Sequence, residues 1–357
     1  MSRKKIIRIT TISFSLDTLL KGQLSFLNNY YEVVGIASGK KELQKVSKRE
    51  DIRVINIPMS REISLWQDLR SLILLVALFI KERPYIVHAN TPKASLLAMV
   101  AAWVTRVPYR IYTVTGLRFE TAIGNFRKLL IAMEKITCWC ATKVIPEGEG
   151  VKKALIREKI TNRPLRVILN GNINGIDTQH YDRTTLVNLL ASEIREKDKF
   201  TFCFVGRLVR DKGINELVFA FVRLYEQNVG VRLILVGPFE KELDPVLPET
   251  EWQILNHTAI SFVGFQQDIR PYLAASDALA FPSYREGFPN VVLQAGAMGL
   301  PSIVTDINGC NEIIEDGVNG VIVPPRDEEA LYNAMKYFVE HRDTDVRAMA
   351  ERARPII

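Results

Sequence analysis

The chain of 357 residues reads as an α/β protein of two doubly wound parallel-sheet domains, 1–175 and 176–357, facing a cleft. Three observations predict this. Short β-branched runs alternate with stretches of helical spacing, which is the pattern of a parallel sheet covered by helices. The alternation breaks once, in the Asn-, Gly- and Asp-rich stretch 170–181, and then restarts. Several strand-like runs end in polar glycine loops, the position at which doubly wound sheets hold ligands.

In the first half, 5–12 predicts the first strand and 13–20 a loop. Lys21-Gly22-Gln23 then precedes a helix that carries Leu24 and Leu27. Further strands are expected over 32–37, 54–57, 85–88, 110–114, 143–145 and 167–169. Residues 65–80 have helical spacing. Their apolar segment 72–80 is too short for a bilayer, which needs about 20 residues, so a core helix is expected, with an interfacial helix as the alternative. His88 ends a strand and opens the loop 89–93, and a helix is expected from Ala94.

In the second half, strands are expected over 200–205, 232–236, 260–262, 278–281, 302–305 and 320–323, and helices over 214–225, 268–276 and 330–339. The most informative stretch is FPSYREGFPNVVLQAGAMGLP, 281–301. A strand runs into the polar loop 283–288, Pro289 suits a first helical turn, and Gly299 with Pro301 marks the helix end. The backbone N–H groups of Phe288, Asn290 and Val291 would face out of that helix start, where the macrodipole favours an anion. Glu286, beside Gly287, would repel a phosphate and is suited to accept hydrogen bonds from hydroxyls. A phosphate site with an acceptor next to it fits a nucleotide sugar; the plainer alternative is an ordinary strand–loop–helix unit that binds nothing.

Charge is uneven. Residues 1–180 hold 29 Lys and Arg against 14 Asp and Glu, net +15, and residues 181–357 hold 18 against 26, net −8, within a chain of +7. The basic half predicts an anionic partner such as a phospholipid surface or a diphosphate-linked substrate. Nucleic acid is not expected, because no helix-turn-helix, zinc finger or RNA-binding aromatic motif is present. The four cysteines, Cys138, Cys140, Cys203 and Cys310, form no C-x-x-C or zinc half-site, which fits a reducing cytosol.

Two cations flank one strand-to-helix loop: Gly206-Arg207 and, five residues on, Lys212-Gly213. A departing diphosphate needs such a clamp as charge builds on it; a solvated surface pair is the alternative. Val263-Gly264-Phe265 offers backbone and a ring to a planar base. Gln294 follows Asn290 by one helical turn and can reach a ribose hydroxyl.

The runs GRLVRDKG, SYREGFPNVVLQAGAMGLPSIVTDINGCNEII and DGVNGVIVPP resemble the donor half of glycosyltransferase family 4, retaining nucleotide-sugar enzymes of the GT-B fold with two Rossmann-like domains. VHANTPKAS at 87–95, YTVTGLRFE at 112–120 and LNGNINGID at 169–177 extend the resemblance over most of the chain, and it is similar to bacterial capsular and O-antigen transferases acting on lipid-linked sugars. The resemblance implies that Arg207 and Lys212 hold the donor diphosphate, Glu286 the sugar hydroxyls, and the Gly287, Phe288, Asn290 and Val291 segment the sugar and its phosphate. Gly206, Gly264 and Phe265 fall in the donor site, Gln294 binds ribose, and Gly22 lies near the donor phosphates. Gln294 stands where the family has a second glutamate, and Thr115 where it often has a histidine. His88 is the candidate to compensate as catalytic support, with a structural histidine ending a buried strand as the alternative. Thr115, Arg118 and Glu120 are expected to face the acceptor.

No Asp-x-Asp metal motif stands at a strand end, so no metal and no cofactor is expected, with the UDP-sugar as substrate. The acceptor is expected to be a polyprenyl-diphosphate-linked saccharide at the inner face of the cytoplasmic membrane, met by the basic half through Lys40-Lys41, Lys48-Arg49, Arg127-Lys128 and Lys152-Lys153. The last helix of that fold is expected to be short or missing. The alternatives are a non-catalytic nucleotide-sugar-binding subunit of a synthase complex, kept open by Gln294 and Thr115, and an epimerase or phosphorylase, whose extra carboxylates or cofactor lysine are not evident.

Overall fold

The computed structural model describes residues 3–228, 230–242 and 244–357, and the chain divides into two compact units, Met1–Gly175 and Ile176–Ile357. In the first unit, strands β1 (Lys5–Ile12), β2 (Glu32–Ser38), β3 (Arg53–Asn56), β4 (Ile86–Ala89), β5 (Tyr109–Val114) and β6 (Lys143–Pro146) form one sheet in the order β3-β2-β1-β4-β5-β6. Each adjacent pair is parallel. Ile6 of β1 is in register with Val33 and with Ile86, so the Ile-rich first strand lies at the centre, and Ile6, Ile7 and Ile9 are buried. Ile6, Ile7 and Ile9, interrupted by Arg8, suit a strand covered on both faces.

Two expectations for this unit fail. Residues 13–20 are not a loop, because Ser13–Leu19 is helical and Leu16 is fully buried. Residues 167–169 form no strand, and Leu169 is 94% exposed with φ of 52°. The Leu65–Glu82 helix forms and buries Ser71, Leu75 and Phe79, but only along one side. Among the described residues, no helix is long and apolar enough to cross a membrane.

In the second unit, β7 (Phe200–Val205), β8 (Val231–Val236), β9 (Ile260–Gly264), β10 (Ala278–Phe281), β11 (Ser302–Thr305) and β12 (Gly320–Val323) form a second parallel sheet, in the order β12-β11-β10-β7-β8-β9. Chain order reverses between β7 and β10, which makes their carboxyl ends a switch point. The core includes Phe202, Phe204, Phe221, Phe281 and Phe338, all buried. The Asp345–Ile356 helix forms and packs within this unit. An added Cβ at Gly296 would lie 2.6 Å from Ile357, and the Arg354 guanidinium donates to the carbonyls of Thr178 at 2.8 Å and Tyr181 at 2.9 Å. All four cysteines are free and buried.

Candidate active site

The site is built on the loops that leave β7 and β10. After β7 the chain passes Gly206 and Arg207, makes a 3-10 turn at Arg210–Lys212 and enters the Ile214–Gln227 helix. Gly213 sets the join. Its φ is 69°, and a Cβ there would lie 2.0 Å from the carbonyl oxygen of Pro282, so only glycine lets the β7 loop touch the end of β10. Two links hold the contact, one between backbones and one between side chains: the Tyr284 N–H donates to the Asp211 carbonyl at 2.8 Å, and the Arg285 Nε–H to the Asp211 carboxylate at 2.9 Å.

This scaffold brings Lys212 and Glu286 together. The Lys212 ammonium donates to Glu286 Oε1, and Ser283, fully buried, donates to the same oxygen at 2.8 Å. Both charged side chains remain partly open, at 18% and 16% exposure. The ammonium also lies 5.2 Å from the centre of the Phe281 ring. Cys310 is buried nearby, and burial first and the Glu286 charge second push its thiol well above the usual range, so it stays protonated and inert.

Arg207 does not join this pair. Its guanidinium forms an ion pair with Glu240, on the loop after β8, with 40% and 26% of the two side chains exposed. That loop approaches closely because an added Cβ at Gly237 would lie 1.8 Å from the Gly206 carbonyl oxygen. Gly264 closes β9, and its carbonyl accepts from the Gly237 N–H at 2.8 Å; Phe265 follows and is 61% exposed. After Glu286 and Gly287, Phe288 is buried and Pro289 takes the N-cap position, so the helix begins at Asn290, not at the proline. Val291 and Gln294 lie in that helix, Asn290–Ala297, and Gly299 with φ of 73° follows its end. Gln294 Nε2–H donates to the Tyr181 hydroxyl at 2.8 Å, so one end of the amide is already engaged within the unit.

The first-unit residues separate into three places. Gly22 caps the Gln23–Asn28 helix, and its N–H, with that of Ser25, donates to the buried Glu50 carboxylate at 3.0 and 3.1 Å. A carboxylate of the chain itself thus occupies the anion position of that short helix.

His88 and Thr115, both half-buried, join the buried Arg8, Asn90 and Thr113 in a polar layer on β1, β4 and β5 and the loops after them. His88 Nε2 pairs with the Thr113 hydroxyl at 2.8 Å, and the Thr115 hydroxyl donates to the Asn90 carbonyl at 2.8 Å. Arg8 bonds Gln23 and, at 3.0 Å, the Asn90 side-chain oxygen. Burial first, and the Arg8 charge second, hold the His88 pKa well below its ordinary value. His88 is therefore neutral and adds no positive charge.

Arg118 and Glu120 lie on the 3-10 turn Arg118–Glu120, anchored by buried Phe119. Arg118 lines a cavity with Arg61, Lys93 and Glu134, whereas Glu120 forms an ion pair with Arg157 at 3.7 Å. Sequence reading missed Glu240, Ser283, Asp211 and Arg8. Only Arg8 left a signal, a lone cation inside an Ile-rich strand.

The fold is shared with Anabaena HepE solved with UDP and glucose, at a TM-score of 0.80 and 20% identity over 99% of this chain and 94% of that one. It is also shared with WaaG, a glycosyltransferase involved in lipopolysaccharide biosynthesis, at a TM-score of 0.75 and 13% identity over 98% and 94%. Two Rossmann-like units of this kind make up the GT-B fold. A glycosyltransferase 4-like domain model matches residues 29–171, and a model for glycosyl transferases group 1 matches residues 199–341. The capsular polysaccharide biosynthesis glycosyltransferase CapM of Staphylococcus aureus is 34% identical over 336 residues, 93% of this chain and 86% of that protein. The UDP-Gal:alpha-D-GlcNAc-diphosphoundecaprenol alpha-1,3-galactosyltransferase of Escherichia coli is 30% identical over 293 residues, 80% of this chain and 74% of that protein. The chain belongs to this glycosyltransferase family, group 1 with a glycosyltransferase 4-like N-terminal domain, and is an enzyme.

Proposed function

We propose that this glycosyltransferase moves a hexose or N-acetylhexosamine, with retention, from a UDP-sugar to a polyprenyl-diphosphate-linked saccharide during surface polysaccharide assembly, as a peripheral enzyme at the inner face of the cytoplasmic membrane. The observation that carries the reading is the Lys212–Glu286 pair on the β7 and β10 loops. Each charge is held by the other. When a donor enters, its diphosphate takes over Lys212, and Glu286 is left to accept from sugar hydroxyls. Arg207 does the same by leaving Glu240. The diphosphoundecaprenol-linked acceptor of the Escherichia coli relative supports the lipid-linked acceptor, and the capsular polysaccharide role of the Staphylococcus aureus relative supports the capsule setting.

On this reading the leaving UDP is neutralised by Arg207 and Lys212, and turnover needs no divalent metal. Gln294 hydrogen-bonds ribose through the end of its amide opposite Tyr181. No side chain is assigned as nucleophile or base; the donor phosphate takes the acceptor proton on the face from which UDP leaves. The test is transfer from a panel of nucleotide sugars to a diphosphate-linked acceptor in chelator, with the anomeric configuration of the product read by NMR. Retention with one UDP-sugar and full rate in chelator is expected. An inverted product, or a rate restored only by added metal, would overturn the corresponding part.

A further inference from the structure

The Leu65–Glu82 and Gly124–Cys140 helices flank the Pro92–Val104 helix, and both carry an apolar face that the fold does not use. On Leu65–Glu82, Ser71, Leu75 and Phe79 point inward. At 100° per residue, Trp66, Leu69, Ile73 and Ile80 fall on the opposite side. They are exposed, Trp66 by 84%. On Gly124–Cys140, Ile136 and Trp139 are exposed on the side away from buried Leu130 and Cys138, and Leu129 is exposed at the edge of that face. Trp139 packs against Trp103, also exposed, at 5.0 Å between ring centres. A surface helix in water needs one apolar stripe, and a second one marks an interaction site.

The charges around these faces select the partner. The exposed ionic side chains of the two outer faces are Arg70, Lys81, Lys128 and Lys135, and among the described residues none is ion-paired with a carboxylate. The acidic residues of the same helices are turned inward. Asp68 holds Lys93 at 2.7 Å, Glu82 is paired with Lys5 and Arg53, and Glu134 accepts from Tyr112 at 2.7 Å. By contrast, the basic clusters that the sequence offers elsewhere are partly neutralised: Arg49 by Asp17 and Glu50, Arg127 by Glu158, and Lys152 by Glu149. A second copy of the same faces would bring like charges together. A bilayer with anionic headgroups meets the cations and the apolar side chains at once, and tryptophan suits its boundary.

We infer that these two helices lie in the surface of a membrane containing anionic phospholipid, Trp66, Ile73, Ile136 and Trp139 entering the acyl boundary and the four cations meeting phosphate. The inference rests on the proposed lipid-linked acceptor for its purpose, since it would hold the enzyme where that acceptor resides. Its physical basis is the surface alone.

The test is sedimentation with phosphatidylcholine vesicles, with and without phosphatidylglycerol. Wild type is expected to partition onto the phosphatidylglycerol vesicles and to be partly released by salt. The Trp66→Ser, Ile73→Ser, Ile136→Ser variant should lose at least tenfold in partition, with unchanged Tm and unchanged donor hydrolysis. A Lys40→Gln, Lys41→Gln variant should bind like wild type. Equal binding by the serine variant, no binding by wild type, or a wild-type dimer that the serine variant makes monomeric would each overturn the inference. If the vesicle pattern holds while wild type glycosylates no diphosphate-linked acceptor, soluble or embedded, the acceptor reading falls and the membrane surface stands.

Discussion

Lys212 and Glu286 are 74 positions apart in the chain, yet their side chains meet at the ends of β7 and β10. On the proposed reading Lys212→Ala removes a charge that is worth most as the diphosphate departs, so kcat should fall by about 10²–10³-fold, the usual cost of one preorganised donor of this kind, with little change in Tm. Glu286→Gln keeps the shape but leaves Lys212 without a charged partner, and turnover should fall comparably while UDP itself still binds. Glu240 gives a prediction of opposite sign. It is paired with Arg207 through a partly exposed contact, such pairs are worth about 0–1 kcal/mol, and on the proposed reading it competes with the donor for that guanidinium. Glu240→Gln should therefore tighten UDP binding by roughly 2–5-fold, read by calorimetry. Weaker binding would show that Glu240 orients Arg207 and does not compete for it.

The β7 and β10 loops depend on close backbone approaches, and Gly213 is the most demanding. Alanine there would meet the Pro282 carbonyl and an αL backbone together, the latter alone costing about 1–2 kcal/mol. Gly213→Ala should lower Tm by several degrees and separate Lys212 from Glu286, so donor hydrolysis should fall with it; wild-type activity in this variant would contradict the loop geometry. This stretch was legible in the sequence because its signals are local: an apolar run, a polar loop, Pro289 and Gly299. The Arg207–Glu240 pair was not, since it spans 33 positions and depends on how Gly206 and Gly237 pack. Residues 167–169 were misread for a related reason. Val-Ile-Leu has strand propensity, but no neighbouring strand pairs with it. Residues 13–20 were misread because Ser13, Ser15 and Thr18 obscured a helix whose inward residue is Leu16.

The pH dependence of stability belongs to the folded chain as a unit, and two half-buried groups set opposite slopes. Burial raises the Glu134 carboxyl from 4.5 to about 7, so the folded protein binds a proton that the unfolded chain has lost. Stability from this group is complete below pH 4.5 and is lost as pH rises towards 7. Glu134→Gln should match wild type at pH 4.5 and exceed it at pH 8 by on the order of 1–3 kcal/mol, measured by urea unfolding. His88 acts in the other sense. Its depressed pKa keeps it neutral in the fold, so it costs stability as pH falls below the ordinary histidine value of 6.5. His88→Gln should flatten the acid side of the profile. The two-domain architecture was read from alternation and one linker, whereas these half-buried ionisable groups were not, because burial is set by packing and not by local pattern.

The measurement to make first is steady-state turnover of a UDP-sugar by wild type beside Lys212→Ala and Glu286→Gln, with circular dichroism and Tm as controls for folding. Folded variants that lose at least a hundredfold in kcat/KM are predicted if the β7–β10 loop pair holds the donor. Folded variants with wild-type turnover would contradict it and move the chemistry away from these loops.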